Sequence, residues 1–460
     1  MRINERVVAL NDKPVNQRAS YVLYWMQMFK RVDANHALIW AIRKANELKL
    51  PLVVYEGLKY YYPWASDRIH TFILEGVEEK RREFASQGIR YLFYLQKDKW
   101  SPKNTVATLA RDAALIVTDD FPCFIIPEHN RRIAERAEIA VYAVDSNGVI
   151  PMSKFDKENY AAYTIRPKIN KLLDHYLVPV DNEPVECSSI GIDLDCDFET
   201  IVTSETIAKL VAECDIDHTV VPSQIYHGGT TKGRARLRKF VDEALGDYDK
   251  ARSKPDRDGS SRLSSYLHFG FLSPLEIALA VRNADAPQES KAAYLEELIV
   301  RRELSYNMTH FNANHDSLTA LPDWVHKTMR EHAGDERQYL YSLEQLEAAE
   351  THDELWNAAQ REMVRTGEMH NYVRMLWGKN VIAWSRSYEE AFETLVHLNN
   401  KYCLDGRNPN SYAGILWCFG KHDRPWMERP VFGMMRYMTS GSTGKKFDSK
   451  KYIEWTKGLV

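Results

Sequence analysis

Through the first 150 residues, short apolar runs alternate with stretches of helical periodicity. The runs Tyr21–Trp25, Pro51–Tyr55, Ile89–Leu95, Leu115–Thr118 and Ile139–Val144 predict strands. Between them His36–Leu48, Ser66–Ala85, Asn104–Ala113 and Glu128–Ala137 place apolar side chains at helical spacing. Ser66 followed by Asp67 predicts an N-cap with an acid in the first turn. Strands separated by single helices imply βαβ crossovers and a doubly wound parallel sheet of Rossmann-like type. Such sheets take ligands at the carboxyl ends of their strands, and Asp119-Asp120-Phe121-Pro122 follows one such end.

The pattern then changes. Thr164–Leu177 predicts one more helix, after which Pro179 and Pro184 lead into an acidic run ending near His227. That run reads as an interdomain connection with a short helix around Ser204–Glu213. Beyond it only helical periods recur: Arg234–Leu245, Pro274–Asn283, Ala292–Asn307, Leu343–Glu350, Asp353–Ala383 and Tyr388–Asn399. The expected organisation is an α/β domain over residues 1–178, a connection over 179–227 and an all-helical domain over 228–460. Two domains suit a chain of 460 residues.

Charge adds a local feature to this picture. The net charge of −3 does not by itself suggest a nucleic-acid partner, but residues 421–460 hold nine Lys/Arg against four Asp/Glu. A basic surface on a near-neutral protein can track phosphates, and it can equally be a solvated tail. The six cysteines are scattered without a C-x-x-C pair, which fits a reducing cytoplasm and no zinc. No apolar run approaches membrane-spanning length, so a cytoplasmic protein without a membrane partner is expected. Histidines form no H-E-x-x-H, and no metal site is expected. There is no G-x-G-x-x-G after a strand, and Gly228–Ala235 has P-loop glycine spacing without the Lys-Ser/Thr pair. It reads as a helix-entry loop.

Five of the eleven tryptophans (Trp356, Trp377, Trp384, Trp417 and Trp426) fall in the 88 residues from Thr351 to Met438, over twice an even share. Trp377 and Trp384 are seven apart, on one helix face and about 10 Å apart along the axis. They could be ordinary core aromatics or an electron relay of oxidisable indoles. Near them stand Arg374, Asn399 with Asn400, and the turn Leu404-Asp405-Gly406-Arg407-Asn408-Pro409-Asn410. Upstream, Gly259-Ser260-Ser261-Arg262-Leu263-Ser264 opens a helix. Its hydroxyls and free N–H groups suit a pyrophosphate, or simply cap the helix.

With these residues assembled, the chain closely resembles class II cyclobutane pyrimidine dimer photolyases over essentially its whole length. The resemblance rests on Tyr24-Trp25-Met26, Tyr160-Ala161-Ala162-Tyr163-Thr164-Ile165-Arg166-Pro167-Lys168 and Ser261-Arg262-Leu263-Ser264-Ser265-Tyr266-Leu267-His268-Phe269-Gly270. It continues through Leu321-Pro322-Asp323-Trp324, Thr351-His352-Asp353, Trp356-Asn357-Ala358, Gly367-Glu368-Met369-His370, Leu404-Asp405-Gly406-Arg407 and His422-Asp423-Arg424-Pro425-Trp426. It implies a photolyase/cryptochrome fold: an antenna-type α/β domain and a helical domain that holds FAD. By position it implies that Tyr248, Ser260, Ser261, Arg262, Leu263, Ser264, Arg374, Asn399 and Asp405 line the flavin. An Arg374–Asp405 pair would let Arg374 favour the anionic reduced flavin, and Asn399 can turn its amide to suit N5. Trp377, Trp356 and Trp384 would be the photoreduction chain, with Trp377 next to the flavin. Arg252, Glu297, Arg301, Met375, Trp417, Arg424, Trp426 and Arg436 would face the lesion, with Glu297 on the carbonyl edge of the dimer and Trp417 stacked on a thymine.

The implied activity is that of a deoxyribodipyrimidine photo-lyase, which splits pyrimidine dimers in damaged DNA by electron transfer from excited reduced FAD. A monomer is expected, and an antenna chromophore of deazaflavin or folate type is the second cofactor the resemblance allows. The alternative is a photolyase-like flavoprotein photoreceptor without repair activity.

The chain departs from the pattern in several places. Arg301 stands where the better-known enzymes carry a second lesion-flanking Trp. It could form an i,i+4 salt bridge to Glu297, or stack on the base or grip a phosphate. Ser253 replaces a usual Asn, and Gly420-Lys421-His422 is one residue shorter than the commoner loop. Met26-Gln27-Met28-Phe29-Lys30-Arg31 and Phe121-Pro122-Cys123-Phe124 also differ from the usual antenna-domain motifs.

Overall fold

The computed structural model describes residues 2–194 and 196–459. A six-stranded sheet forms from β1 (Val7–Ala9), β2 (Tyr21–Met26), β3 (Leu52–Lys59), β4 (Arg90–Gln96), β5 (Ala113–Asp119) and β6 (Val141–Val144), in the order β1-β6-β5-β2-β3-β4. All pairings are parallel except β1 with β6. The central strand β2 is buried at every position, as a strand covered by helices on both faces must be. Asp119 ends β5 beneath the loop after β2, where its carboxylate accepts the N–H groups of Gln27, Met28 and Phe29 at 2.6–2.9 Å.

The antiparallel edge strand β1 is absent from the sequence expectation because three residues give no periodicity to read. The stretch Ser66–Ala85 is two helices, Asp67–Leu74 and Val77–Ser86, separated at Gly76. Ser66 stands at the N-cap but makes no cap bond; Asp67 instead meets His218 at 2.7 Å. The acidic segment after Pro179 does not hang free. Ser189 Oγ donates to Leu52 O, and Thr200 N donates to Phe93 O, so it runs along the sheet's β3–β4 edge.

From Thr230 onward the described elements are helical. The loop at Gly228–Ala235 does open a helix, Thr230–Lys239, and Glu75 and Glu79 take the N–H groups of Gly228, Thr230 and Thr231. Carboxylates already occupy the amides that a P-loop would turn to phosphate. Asp353–Ala383 is not one helix. Glu354–Thr366 ends at Gly367 (φ 86°), and Asn371–Trp384 restarts under the His370 cap. A side chain at Gly367 would be strained in that left-handed conformation and would meet Leu404 Cγ at 3.0 Å. Ala292–Asn307 likewise divides into Gln288–Leu295, a π-helical turn over Glu296–Arg301, and Arg302–Phe311.

The two layers are bolted together by buried polar groups. Glu303 of the helical layer accepts from Val149 N and Ile150 N, and Arg68 of the α/β layer donates to the carbonyls of Met363, Val364 and Tyr402; Arg6 steadies the 145–149 loop from within its own layer. Among the described residues no helix is long and apolar enough to cross a membrane, and no cluster of metal-ligating side chains occurs.

Candidate functional site

The helix Glu354–Thr366 begins on Asp353, whose carboxylate accepts from Leu355 N and Trp356 N at 3.0 Å each. This sets Trp356, fully buried, against the helix Asn371–Trp384. Its indole N–H donates to Trp377 O at 3.0 Å, and its ring lies 5.5 Å from that of Trp384 at 67°. Trp377 and Trp384 share a helix face, and Trp356 enters between them from the neighbouring helix. Trp377 in turn donates to Gln360 Oε1 at 2.9 Å. Gln360, fully buried four residues after Trp356, was missed by the sequence reading; an amide on an otherwise apolar helix face was its signal.

Three residues along the same helix from Trp377, Arg374 Nη2 donates to both Asp405 oxygens at 3.1 Å, and its Nε donates to Met369 O. Burial opposes the charge of Arg374, yet the Asp405 carboxylate holds the guanidinium protonated above its ordinary range. The Asp405 turn is fixed from behind by Arg407. Its guanidinium donates to the carbonyls of Asn400, Cys403 and Leu404, and its N–H donates to Asn400 Oδ1. Asn399, 5% exposed, donates to the same Asn400 oxygen at 3.1 Å, so its amide is anchored at the nitrogen end.

The Ser260–Ser264 run is divided in its orientation. Arg262 adopts φ 55° and turns its guanidinium inward to Glu362 (2.9 Å) and Glu368 (3.7 Å), while Leu263 enters the core. Ser260, Ser261 and Ser264 stay half-buried at the surface of the run. The helix that follows, Ser264–His268, is one short turn, so hydroxyls rather than a helix dipole are the donors here. Glu362 also accepts from His370 N and the Tyr452 hydroxyl, and burial keeps the His370 imidazole neutral, with its pKa down at about 3. Tyr248 packs edge-on to Tyr294 at 5.1 Å, and burial beside Glu297 pushes its phenol up to about 12.

A second face lies across the π-turn. An i,i+4 salt bridge from Arg301 to Glu297 does not form. The wider turn brings Arg301 over Glu296, five residues back, with Nε–Oε1 at 3.5 Å. Glu296 is shared with Arg166 at 2.7 Å, and Glu297 pairs instead with Arg252 at 2.7 Å. The Arg301 guanidinium stands over the Trp417 ring at 5.5 Å. His422 meets the same ring edge-on at 5.8 Å; its Nδ1 donates to Tyr160 O at 2.6 Å, and its Nε2 is buried without a partner. Trp426, 39% exposed, lies between Arg424 and Arg436, each 5.1 Å from its ring. Trp426 N donates to Met434 O across a small hairpin that also pairs Arg429 with Gly433. Met375, half-buried, follows Arg374 and packs against the core.

In the α/β layer a cavity of about 350 Å³ opens at the carboxyl ends of the strands, lined by Trp25, Tyr55, Lys59, Tyr94, His129 and Arg132 among others. His129 stacks on Trp25, receives the Lys59 ammonium on Nε2 and donates from Nδ1 to Gln27. A second hollow, of about 550 Å³ and more open, lies beside Asp120-Phe121-Pro122 and reaches Thr309 and His310.

A family model for DNA photolyase matches residues 22–187. The deoxyribodipyrimidine photo-lyase of Methanothermobacter thermautotrophicus is 39% identical over 457 residues, covering 99% of each chain. That of Arabidopsis thaliana is 37% identical, over 97% of this chain and 91% of the relative. The Potorous tridactylus enzyme is 34% identical, over 98% and 84%. Among solved structures, a class III photolyase from Agrobacterium tumefaciens superposes with a TM-score of 0.69 at 16% identity, over 95% of this chain and 86% of that one. A Synechocystis cryptochrome gives 0.71 at 15%, over 94% and 88%. These structural matches establish the photolyase/cryptochrome fold, with its parallel α/β layer and helical layer. Full-length identity above a third with photo-lyases carries the rest: the chain belongs to the DNA photolyase family.

Proposed function

We propose that this chain is a light-driven lyase of class II type that repairs cyclobutane pyrimidine dimers in DNA with FAD as its cofactor. The observation that carries the reading is the partly buried Arg374–Asp405 pair, three residues along the helix from the buried Trp377. The buried groups suit a flavin. Gln360 Nε2, His370 Nε2 and Asn400 Nδ2 lack partners, and Ser260, Ser261 and Ser264 present hydroxyls. Arg374, Asp405, Asn399, Tyr248 and the main chain of the serine run would hold the cofactor, with the Arg262 side chain bracing that run from behind. When bound and reduced, FAD supplies on excitation the electron that opens the dimer.

The protein's own part is to hold the lesion dry and oriented. Trp417 offers a stacking face, with Arg301 placed above it, and Trp426 between two guanidiniums suits a flipped base beside phosphates. Ion-paired to Arg252, Glu297 is acceptor-only, so it fits a ring N–H of the pyrimidine rather than its carbonyl edge; Arg252 is the donor for a carbonyl. Arg424 and Arg436 suit the backbone. Trp384, Trp356 and Trp377 form the path that returns an oxidised cofactor to its working state. The aromatic cavity at the strand ends, rimmed by Lys59, Arg132 and Arg136, is where an antenna chromophore would sit. The domains of this reading are residues 1–178, 179–227 and 228–460. Photo-lyase relatives matched end to end support repair over a signalling role.

The test is direct. Protein reduced beforehand and illuminated with blue light should restore paired thymines in a dimer-containing oligonucleotide, with nothing restored in the dark. Fully reduced protein that restores none under light would overturn the proposal.

A further inference from the structure

A single helix, Pro409–Cys418, joins the Asp405 turn to Trp417. At its start Asn408 Nδ2 and Ser411 Oγ donate to Asp405 O at 2.8 and 3.0 Å. It ends on Trp417 and Cys418, about 15 Å further along the axis. The helix Asn371–Trp384 holds this strut at both ends. Arg374 bonds Asp405, and Lys379, five residues later, donates from Nζ to Cys418 O. The two helices also meet closely there, since a Cβ on Gly378 would come 2.5 Å from Cys418 Sγ.

Carbonyls in the last turn of a helix have no partner within it. The N–H groups of Phe419, Gly420 and Lys421 take Leu416 O and Trp417 O, and the Lys379 ammonium takes Cys418 O. Lys379 is fully buried, with its Nζ 5.6 Å from the Phe432 ring in the hairpin that carries Trp426 and Arg436. Burial pulls the ammonium down to about 8; Asp423 and the Cys418 thiol favour its charge and Arg436 opposes it. A buried cation costs stability, and an apolar chain of the same length would fill the space without that cost. Packing alone does not account for a lysine here.

We propose that Lys379 is a positioning residue for lesion recognition, which holds the last carbonyl of the strut and so fixes the Trp417 indole where a flipped base can stack on it. The inference rests on the proposed role of Trp417 as the stacking face. Trp417 immediately precedes the residue whose carbonyl Lys379 holds. Beyond it the chain turns away through two left-handed residues, Gly420 (φ 108°) and His422 (φ 62°), and the His422 ring comes back to the indole at 5.8 Å. Releasing Cys418 O frees the end of the helix, and the indole then moves relative to Arg301 and His422. That loss falls on a lesion that must stack. Intact duplex, held through its phosphates, is spared.

The experiment is a double-mutant cycle of Lys379→Met and Trp417→Ala on the flavin-loaded full chain. Dark affinity is read by fluorescence anisotropy for one duplex with and without a single thymine dimer. Lys379→Met keeps the length and apolar bulk of the side chain. It should weaken lesion affinity about five- to tenfold and leave undamaged duplex within about twofold. In the Trp417→Ala background the same change should make less than about a twofold difference. Lys379→Gln, with a shorter, neutral donor, should lose as much, and it carries the test should the Met variant fail to fold. Unchanged lesion affinity in either folded variant, an equal loss on both duplexes, or a loss that persists without Trp417 would each overturn the proposal. Failure of both variants to fold would make Lys379 a structural residue and overturn it too. Each of these outcomes leaves the role of Trp417 standing; wild-type protein with no preference for the dimer would remove that role as well.

Discussion

Two sets of tryptophans share the helical layer, and they live in opposite surroundings. Trp356, Trp377 and Trp384 are 0%, 4% and 6% exposed, and the indole N–H groups of the first two are spent on internal acceptors. Trp417 and Trp426 are partly open, and guanidiniums of Arg301, Arg424 and Arg436 stand over their faces. The same side chain does different work in each place. A dry, polar-satisfied row can pass charge and touches nothing that diffuses. Under the proposed function, a half-open indole under cations would receive a base and the phosphates that come with it. Burial and neighbours assign the role, where residue identity alone leaves it open.

The contrast breaks most visibly in stability. Trp356→Ala removes a fully buried indole and its N–H bond and should cost about 3–5 kcal/mol in urea unfolding, whereas Trp426→Ala should stay within about 0.5 kcal/mol. Comparable losses would mean that the two sets are one core. Binding should show the reverse order. Trp417→Ala should weaken the dark affinity for a dimer-containing duplex by about 1–3 kcal/mol, measured by fluorescence anisotropy, and leave undamaged duplex nearly unaffected.

Titration gives a smaller, pH-dependent version of the same comparison. Burial holds His422, against Trp417, at a pKa of about 4 and His370, whose main chain is bonded to Glu362, at about 3. Both are depressed from an unfolded value near 6.5, so the fold prefers the neutral imidazole. Their contribution is complete above about pH 6.5 and falls with pH below it, by up to about 1.4 kcal/mol per unit for each residue. His422→Asn should flatten the loss of stability from about pH 6.5 to 4 by one proton's worth; an unaltered slope would show that His422 is already charged in the fold. The smallest effect belongs to Arg301→Ala. Loss of a cation–π contact and one phosphate partner should weaken lesion binding by about 0.5–1 kcal/mol and lower the salt slope by about one. Unchanged affinity would reduce Arg301 to its pair with Glu296.

Much of this layout was legible in the chain. The helix His36–Leu48 carries an unbroken apolar stripe and an Asn35 cap, and its ends match the expectation. Residues 353–383 have an equally continuous period, yet two helices form, because the stop signal is the single Gly367 and the restart is a His cap, a weaker cue than Ser or Asp. The Glu297–Arg301 spacing looked like an ordinary helical pair. A π-turn moves the contact to Glu296, and no propensity announces such a turn. Arg374 and Asp405 are 31 residues apart and were brought together only by resemblance; the structure supplies the 3.1 Å contact. Gln360 was not named, and Arg407 and His422 were named only as members of motifs without a role, since each is defined by what it bonds across the fold and not by local pattern.

The most direct test of the division of labour is a crossed measurement on two conservative variants, Trp377→Phe and Trp417→Phe. For each, the rate of light-driven flavin reduction is read beside the dark affinity for a dimer-containing duplex. Trp377→Phe should lose light-driven reduction and keep lesion affinity, and Trp417→Phe should do the opposite. A single variant that cripples both would contradict the account.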